Sequence, residues 1–172
     1  MACIDVDTAE FAVLFCPHVS SGLGCGRRKR DIINSADGLT WSNATSPTSE
    51  TLRGVYFDDA STWVAAGQKG TIVNSPDAVV WTQQTSGDTN ALWGTVFAGG
   101  QWIVSGGSGR IVTSPDSVVW TSVNGPFSFT LFDIAYDGSG LYVIAGDGNN
   151  LSTVLISNDA VTWTQTSLPE QW

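Results

Sequence analysis

Apolar residues in this chain come in short runs that are bounded by glycine, aspartate, asparagine or serine. No stretch of ten residues has the apolar spacing of a helix. From Leu52, the runs and the turn residues between them predict four strands, at residues 52–57, 62–66 and 71–74 and around Trp81. The same order recurs from Leu92 and from Leu131, where the last strands are predicted at 118–122 and 161–165. The pattern therefore predicts an all-β chain.

A serine, an aspartate and a tryptophan recur at fixed offsets near the end of each unit. The tryptophans are 40, 39 and 43 residues apart, and the four sets are Ser35-Asp37-Trp41, Ser75-Asp77-Trp81, Ser114-Asp116-Trp120 and Ser157-Asp159-Trp163. A single four-stranded sheet leaves both apolar faces open, so such units must stack to bury them. Radial stacking of four-stranded blades at a period of about forty residues forms a β-propeller. Tandem β-sandwiches are the alternative, but the units are short for one sandwich each.

We therefore predict a β-propeller, or an arc of one, with about four antiparallel four-stranded blades. The 172 residues are expected to form one domain, 1–172, with repeat units at 10–47, 48–87, 88–126 and 127–168. Residues 1–30 diverge from the repeat, and within them residues 10–15 align with the first strand of a later unit, 92–97. The second strand of that first unit is expected in the decapeptide 22–31, which instead holds four of the chain's seven basic residues. One hypothesis is that this decapeptide is a blade strand translated out of frame.

The Ser-Asp-Trp sets are best explained as turn formers. An aspartate in a tight turn accepts hydrogen bonds from the turn's own amides, and a neighbouring hydroxyl caps another amide. The tryptophan then packs inward as the large apolar residue. Gly38 supplies a positive φ in the first set, whereas Ala78, Ser117 and Ala160 stand at that place later, so those three turns are expected to differ in shape or to be strained. We predict a structural role for all twelve residues, because a turn former is needed in every blade.

The first set, Ser35-Ala36-Asp37-Gly38-Leu39-Thr40-Trp41, resembles the Asp-box, also called the BNR repeat. The resemblance covers residues 31–163 and implies a propeller of the Asp-box family. It is nearly silent on function, because Asp-boxes occur in sialidases, other glycosidases, the propeller of a photosystem II assembly factor, lectin-like proteins and phage virion proteins. By analogy with the small virion propellers, the chain is expected to be a structural or binding component of a larger assembly.

Charge and composition narrow the expected partners. The formal net charge of -9 argues against nucleic acid and against an anionic membrane, since both attract basic surfaces. The chain has no apolar run long enough to span a bilayer and no basic segment typical of a signal peptide, so we expect a soluble protein, with a virion as one location. Protein partners or self-assembly are expected, with a glycan as the alternative ligand.

The candidate chemistry is sparse, and we predict no catalytic residue, no metal and no cofactor. A sialidase-like site needs an arginine cluster and a tyrosine-glutamate pair, but outside the decapeptide the only arginines are Arg53 and Arg110. Cys3, Cys16, His18 and Cys25 have no zinc-site spacing, and residues 147–150 resemble a calcium loop only faintly. Trp63, Trp93 and Trp102 are candidate binding aromatics, although their alternating placement is also typical of core residues. A carbohydrate-binding or sialidase-like propeller remains the alternative function.

Overall fold

The computed structural model describes residues 3–4, 12–15, 32–58, 60–124, 127–148 and 151–167. Within these residues the chain forms four sheets of four strands, which we call blades 1 to 4, and two short 3-10 turns, Gln68–Gly70 and Gly107–Gly109. Blade 1 contains β1 (Cys3–Ile4), β2 (Ala12–Phe15), β3 (Ile32–Ser35) and β4 (Ser42–Asn43). Blade 2 contains β5 (Leu52–Phe57), β6 (Trp63–Gly67), β7 (Thr71–Ser75) and β8 (Thr82–Thr85). Blade 3 contains β9 (Leu92–Ala98), β10 (Gln101–Gly106), β11 (Arg110–Ser114) and β12 (Thr121–Asn124). Blade 4 contains β13 (Thr130–Tyr136), β14 (Tyr142–Gly148), β15 (Leu151–Ser157) and β16 (Thr164–Ser167).

Each blade is an antiparallel meander in which the order of strands in the sheet follows the chain. The register also repeats, because the aromatic residue near the start of the second strand pairs with the serine of the Ser-Asp-Trp set. The pairs are Trp63 with Ser75, Trp102 with Ser114 and Tyr142 with Ser157. Residues of different blades can therefore be compared position by position.

Consecutive blades bury their apolar faces against each other. Between blades 2 and 3 the buried cluster is formed by Val64, Ala66, Ile72, Leu92, Trp102, Val104 and Val112. Equivalent clusters lie between blades 1 and 2 and between blades 3 and 4. Full burial of one Val, Leu or Ile side chain contributes about 1.5–3 kcal/mol, so these faces hold the blades together.

The first strands of neighbouring blades approach each other closely. β5 lies beside β9, and β9 lies beside β13. A Cβ atom on Gly54 would overlap the carbonyl oxygen of Trp93, and one on Gly94 would lie 2.7 Å from the Cα of Asp133. Glycine at these two positions is therefore what permits the close approach.

The fourth strands begin later than the sequence pattern predicted, at Thr82, Thr121 and Thr164 instead of around Trp81, at 118 and at 161. The reason is that the residues just before the tryptophan still belong to the turn. Their N–H groups, on Val80, Val119 and Thr162, donate to the aspartate of the Ser-Asp-Trp set and cannot pair with the third strand.

The first unit also differs from its prediction. Ala12–Phe15 pairs with Ile32–Ser35 on one side and with Cys3–Ile4 on the other, so it is the second strand of blade 1, and its alignment with a first strand was wrong. The apolar sequence of residues 12–15 suits a strand beside Ile32 and Ile33, whereas the decapeptide 22–31 carries four positive charges. The decapeptide, Cys16, His18 and Cys25 lie outside the described residues, so the out-of-frame hypothesis stays a hypothesis.

Candidate functional site

The turns between second and third strands lie on the same face of the stack as the loops that enter each blade. Four backbone hydrogen bonds join them: Gln68 N to Thr51 O (2.9 Å), Gly107 N to Ala91 O (2.8 Å), Gly70 N to Asn90 O (2.7 Å) and Gly109 N to Phe129 O (2.6 Å). The last two bonds tie one blade to the loop that leads into the next. We call this side of the molecule the loop face, and the Ser-Asp-Trp turns lie on the opposite face.

Three large side chains occupy one repeated position near the loop face. Arg53, Trp93 and Phe132 each follow the leucine at the start of the repeat, where a β-bulge interrupts the pairing of the first and second strands. The guanidinium carbon of Arg53 lies 3.8 Å from the centroid of the Trp93 ring. The rings of Trp93 and Phe132 meet edge to face, with centroids 5.6 Å apart and planes at 83°. These contacts form a continuous row across blades 2, 3 and 4, which we call the aromatic row.

The aromatic row is accessible at its surface. Phe132 is 44% exposed and Trp93 is half-buried. Stacking of a guanidinium on an indole contributes about 0.5–2 kcal/mol and holds the cation in one orientation. The row is therefore an ordered apolar surface with a positive charge at one end.

Arg53 is the only cation of the described residues that has no carboxylate partner among them. Lys69 lies 3.0 Å from Glu50, and Arg110 lies 2.7 Å from Asp88, whereas the buried Nε of Arg53 has no hydrogen-bond partner. A guanidinium presents five donors in a planar fork that matches a carboxylate. Arg53 can therefore bind an acidic group without breaking an ion pair within the described part of the chain.

The four Ser-Asp-Trp turns share one pattern of hydrogen bonds. In each turn the serine Oγ donates to the aspartate Oδ1 over 2.9–3.0 Å, and the N–H groups two and three residues after the aspartate donate to the same oxygen over 2.7–2.9 Å. The backbone hydrogen bonds lower the pKa of Asp37 and of Asp159 to about 2, and they also lower the pKa of Asp77 and Asp116. One oxygen of each carboxylate therefore accepts three hydrogen bonds from its own turn.

The prediction that the three turns without glycine differ in shape from the first turn is wrong. Gly38, Ala78, Ser117 and Ala160 all have a positive φ, between 58° and 70°. In the last three turns the tryptophan Nε1–H donates to the carbonyl of that residue over 3.1–3.2 Å. The left-handed conformation is costly for a residue with a side chain, and the packing of each turn against the preceding blade offsets that cost.

The three candidate binding tryptophans lie in different environments. Trp63 and Trp102 are 3% and 2% exposed and belong to the clusters between blades, so neither presents a ring face to a ligand. For this reason the prediction that Trp63 and Trp102 bind a ligand is corrected: both are core residues. Trp93 lies at the centre of the aromatic row. Sequence reasoning missed Arg53 and Phe132 as its neighbours, although a leucine precedes all three residues at the same offset.

Metal ligands do not gather in the described part of the chain. There, no group of three or more His, Cys, Asp or Glu side chains is placed to hold an ion. Asp147, the first residue of the faint calcium-loop resemblance, is described, but residues 149 and 150 of that loop are not.

No protein-family model and no curated protein matches the chain. Solved structures do match. The structure of YCF48 bound to D1 peptide is 18% identical with a TM-score of 0.63, over 93% of this chain and 50% of that one. YCF48 from Cyanidioschyzon merolae is 15% identical with a TM-score of 0.65, over 92% of this chain and 51% of that one.

The chain has a β-propeller fold. It spans about half the length of the solved propellers that it matches. At these identities the likeness shows the fold, so the role of this propeller has to be argued from its own residues. Among the residues that the structure describes, no helix is both long and apolar enough to cross a bilayer.

Proposed function

We propose that the chain is a non-enzymatic binding module that holds an extended protein segment on the aromatic row. The observation that carries this proposal is the stacking of Arg53, a cation without a carboxylate partner among the described residues, on Trp93 and beside the exposed Phe132. Tryptophan and arginine are the residues that most often dominate protein interfaces. An apolar side chain of the segment packs on the two rings, and an acidic group pairs with Arg53.

Two further observations support a protein segment as the ligand. A similar propeller, YCF48, has been solved bound to D1 peptide, so a propeller of this kind can take a peptide. The row also crosses three consecutive blades, so a segment bound along it would contact side chains of all three.

The proposal that the module is not an enzyme rests on how its charged groups are used. The carboxylates of the Ser-Asp-Trp turns are bound by their own amides, and Arg110 is paired with Asp88. Hydrolysis of a glycoside by two opposed carboxylates would need acids that are free of such partners. From the resemblance of the turns to the Asp-box, we further propose that the module works within a larger assembly, such as a phage virion or a surface appendage.

A carbohydrate is the second candidate ligand. The exposed Phe132 and the half-buried Trp93 offer aromatic surface on which a sugar can stack. In that case the aromatic rings carry the binding, and the charge of Arg53 contributes little. The two candidates therefore predict different effects of the same substitutions.

Binding of the purified chain to a peptide array and to a glycan array tests both candidates. We expect binding to peptides that combine an acidic group with apolar residues, and we expect Arg53→Gln to weaken the strongest of them by about tenfold or more. Lys69→Gln is the matched control, because it removes one exposed positive charge from the loop face outside the row. Equal weakening by both variants would contradict the proposal. Glycan binding that is lost in Trp93→Ala but kept in Arg53→Gln would favour the carbohydrate instead.

A further inference from the structure

The four Ser-Asp-Trp turns, numbered here by their blades, differ at the residue just before the tryptophan. This residue is threonine in turns 1 and 4 and valine in turns 2 and 3. In turn 1 the hydroxyl of Thr40 donates to Oδ2 of Asp37 over 3.2 Å. In turn 4 the side chain of Thr162 also hydrogen-bonds Asp159 and helps to lower its pKa. A threonine at this position can therefore supply a donor to the second oxygen of the carboxylate.

Turns 2 and 3 lack that donor. Val80 and Val119 have no hydroxyl, and among the hydrogen bonds of the described residues the Oδ2 atoms of Asp77 and Asp116 accept none. Backbone N–H groups of the turn still lower the pKa of both carboxyls, so both are ionised at neutral pH. Each of these two turns therefore presents a charged oxygen that its own turn does not use.

The same two turns expose more apolar surface than turns 1 and 4. Each has two consecutive valines after the left-handed residue, whereas turns 1 and 4 have one apolar residue and one threonine there. The four valines are between 46% and 62% exposed: Val79, Val80, Val118 and Val119. We call these four valines, together with Asp77 and Asp116, the valine surface. It combines apolar side chains with two charged oxygens that have no donor in their own turns.

Turns 2 and 3 are tied to each other across the junction of their blades. Asn74 directly precedes the serine of turn 2, and its Nδ2–H group donates to the carbonyl of Ser117 in turn 3 over 3.2 Å and to the Ser117 Oγ over 2.9 Å. Ser117 in turn directly precedes Val118. The two pairs of valines therefore belong to one surface. Blades 2 and 3 each have a described blade on both sides, so an uncovered blade face is not the reason for their exposure.

The described charges on this face of the molecule are all negative. The turns between first and second strands reach the same face as the Ser-Asp-Trp turns, and they carry Asp58 and Asp137. The three described cations, Arg53, Lys69 and Arg110, all lie at the loop-face ends of their strands. A partner that fits the valine surface must therefore bring positive charge as well as apolar side chains.

We propose that the valine surface is a second docking site, which binds a basic protein segment that combines lysine or arginine with apolar residues. The apolar side chains of the segment pack on the four valines, and its cations pair with the Oδ2 atoms of Asp77 and Asp116. A nucleic acid or an anionic lipid has the wrong charge for this surface, and a second copy of the chain, with a net charge of -9, is repelled. The site lies on the face opposite the aromatic row and takes a ligand of opposite charge, so it is independent of the function proposed for that row.

Binding of two matched synthetic peptides to the purified chain tests this inference. One peptide alternates lysine with leucine, and the other alternates glutamate with leucine. We expect binding of the lysine peptide only, with an affinity that falls when the NaCl concentration is raised from about 50 mM to about 500 mM. In a chain labelled at the valine methyl groups, the lysine peptide should shift the NMR signals of the four valines of the surface. The signals of Val64, which is buried between blades 2 and 3, should stay in place.

The double variant Val80→Thr/Val119→Thr separates docking from folding. It gives turns 2 and 3 the residue that turns 1 and 4 already have, so the fold should be kept. The affinity for the lysine peptide should fall by about tenfold or more, because each new hydroxyl replaces an apolar methyl group and donates to the carboxylate oxygen that the peptide would use. Thr162→Val makes the reverse exchange in turn 4 and is the matched control, which should not weaken binding.

Arg53→Gln should also leave binding of the lysine peptide unchanged, because Arg53 lies on the aromatic row. Circular dichroism of each variant reports whether the blades remain folded. Equal binding of the lysine and glutamate peptides, or no binding of the lysine peptide at millimolar concentration, would overturn the inference. So would an unchanged affinity in a folded Val80→Thr/Val119→Thr variant, or shifts that avoid the valine surface.

Discussion

Gly94→Ala is expected to destabilise the fold by forcing two blades apart. The new Cβ would lie 2.7 Å from the Cα of Asp133 and 2.9 Å from the backbone nitrogen of Ile134. Carbon atoms pack at about 3.5–4.0 Å, so the first strands of blades 3 and 4 must separate by about 1 Å. Both obstacles are backbone atoms of a paired strand and cannot rotate away.

The magnitude follows from two opposing effects. Insertion of a methyl group into a packed core costs about 1–3 kcal/mol, and a backbone obstacle places this case at about 3 kcal/mol. Replacement of glycine by alanine also restricts the unfolded chain and returns about 0.4–1 kcal/mol. The net loss of about 2 kcal/mol corresponds to a fall of about 4–8 °C in the melting temperature of a domain of this size.

Thermal and urea unfolding of the variant and the wild-type chain at the same protein concentration measure the effect. Gly107→Ala is the matched control in the same blade. Its Cβ would lie 3.6 Å from the carbonyl oxygen of Ala91, an ordinary contact, and its backbone is not left-handed. The control should melt at or slightly above the wild-type temperature. If Gly94→Ala melted within a degree or two of Gly107→Ala, the argument from close approach would be refuted.

Three further outcomes are expected. The pKa values of Asp37 and Asp159 are about 2, below the unfolded value of about 3.9. Their contribution to stability is therefore complete above about pH 4 and is lost as the pH falls toward 2. A urea midpoint that stayed constant between pH 4 and pH 2 would contradict this. Thr95→Val should raise the free energy of unfolding by about 1 kcal/mol, because the buried Oγ1 of Thr95 has no hydrogen-bond partner. A loss of stability in urea would show that the hydroxyl is needed. Arg110→Gln should lower the free energy of unfolding by about 1–2 kcal/mol, because the Asp88 side chain is 3% exposed and would lose its cation. The loss is limited because the Arg110 side chain is 38% exposed and the ion pair is partly screened by solvent. An unchanged denaturation curve would count against a stabilising ion pair.

The fold was predictable because its two strongest signals are local. A turn that is closed by its own serine and aspartate depends on a few adjacent residues, and it repeats at the period of a blade. The first strand of blade 2 lies at Leu52–Phe57, where the alternation placed it. The predicted all-β propeller of about four blades is confirmed.

The errors lie where a hydrogen bond of the turn or a contact between blades outweighs the alternation of apolar residues. Val119 is apolar and precedes Trp120, so alternation places it in a strand, yet its N–H is held by Asp116. Ala78 disfavours a left-handed conformation on its own, but its Cβ is fully buried against the preceding blade. The bond was expected from the aspartate, but apolar alternation does not show how far it extends the turn, and the burial of Ala78 cannot be read from a run of residues.

The aromatic row was hidden for a related reason. A β-bulge adds a residue to one strand, and a strict period of two cannot represent it. A signal was present, because Leu52-Arg53-Gly54 and Leu92-Trp93-Gly94 share one pattern around the bulge. Only the packing of consecutive blades shows that the middle residues of these triplets touch each other.

Equivalent positions of blades 2, 3 and 4 differ in how strictly the residue type is kept. The residue before the bulge is leucine in blades 2, 3 and 4, and it is buried each time, because the core between blades requires it. The residue at the bulge is arginine in blade 2, tryptophan in blade 3 and phenylalanine in blade 4, so it is charged in one blade and aromatic in the other two. A scaffold that needed this position would hold it constant, as it holds the serine and aspartate of each turn. The framework therefore does not fix one residue type at this position, and the large side chains that stack there are the ones to which the proposed binding role is assigned.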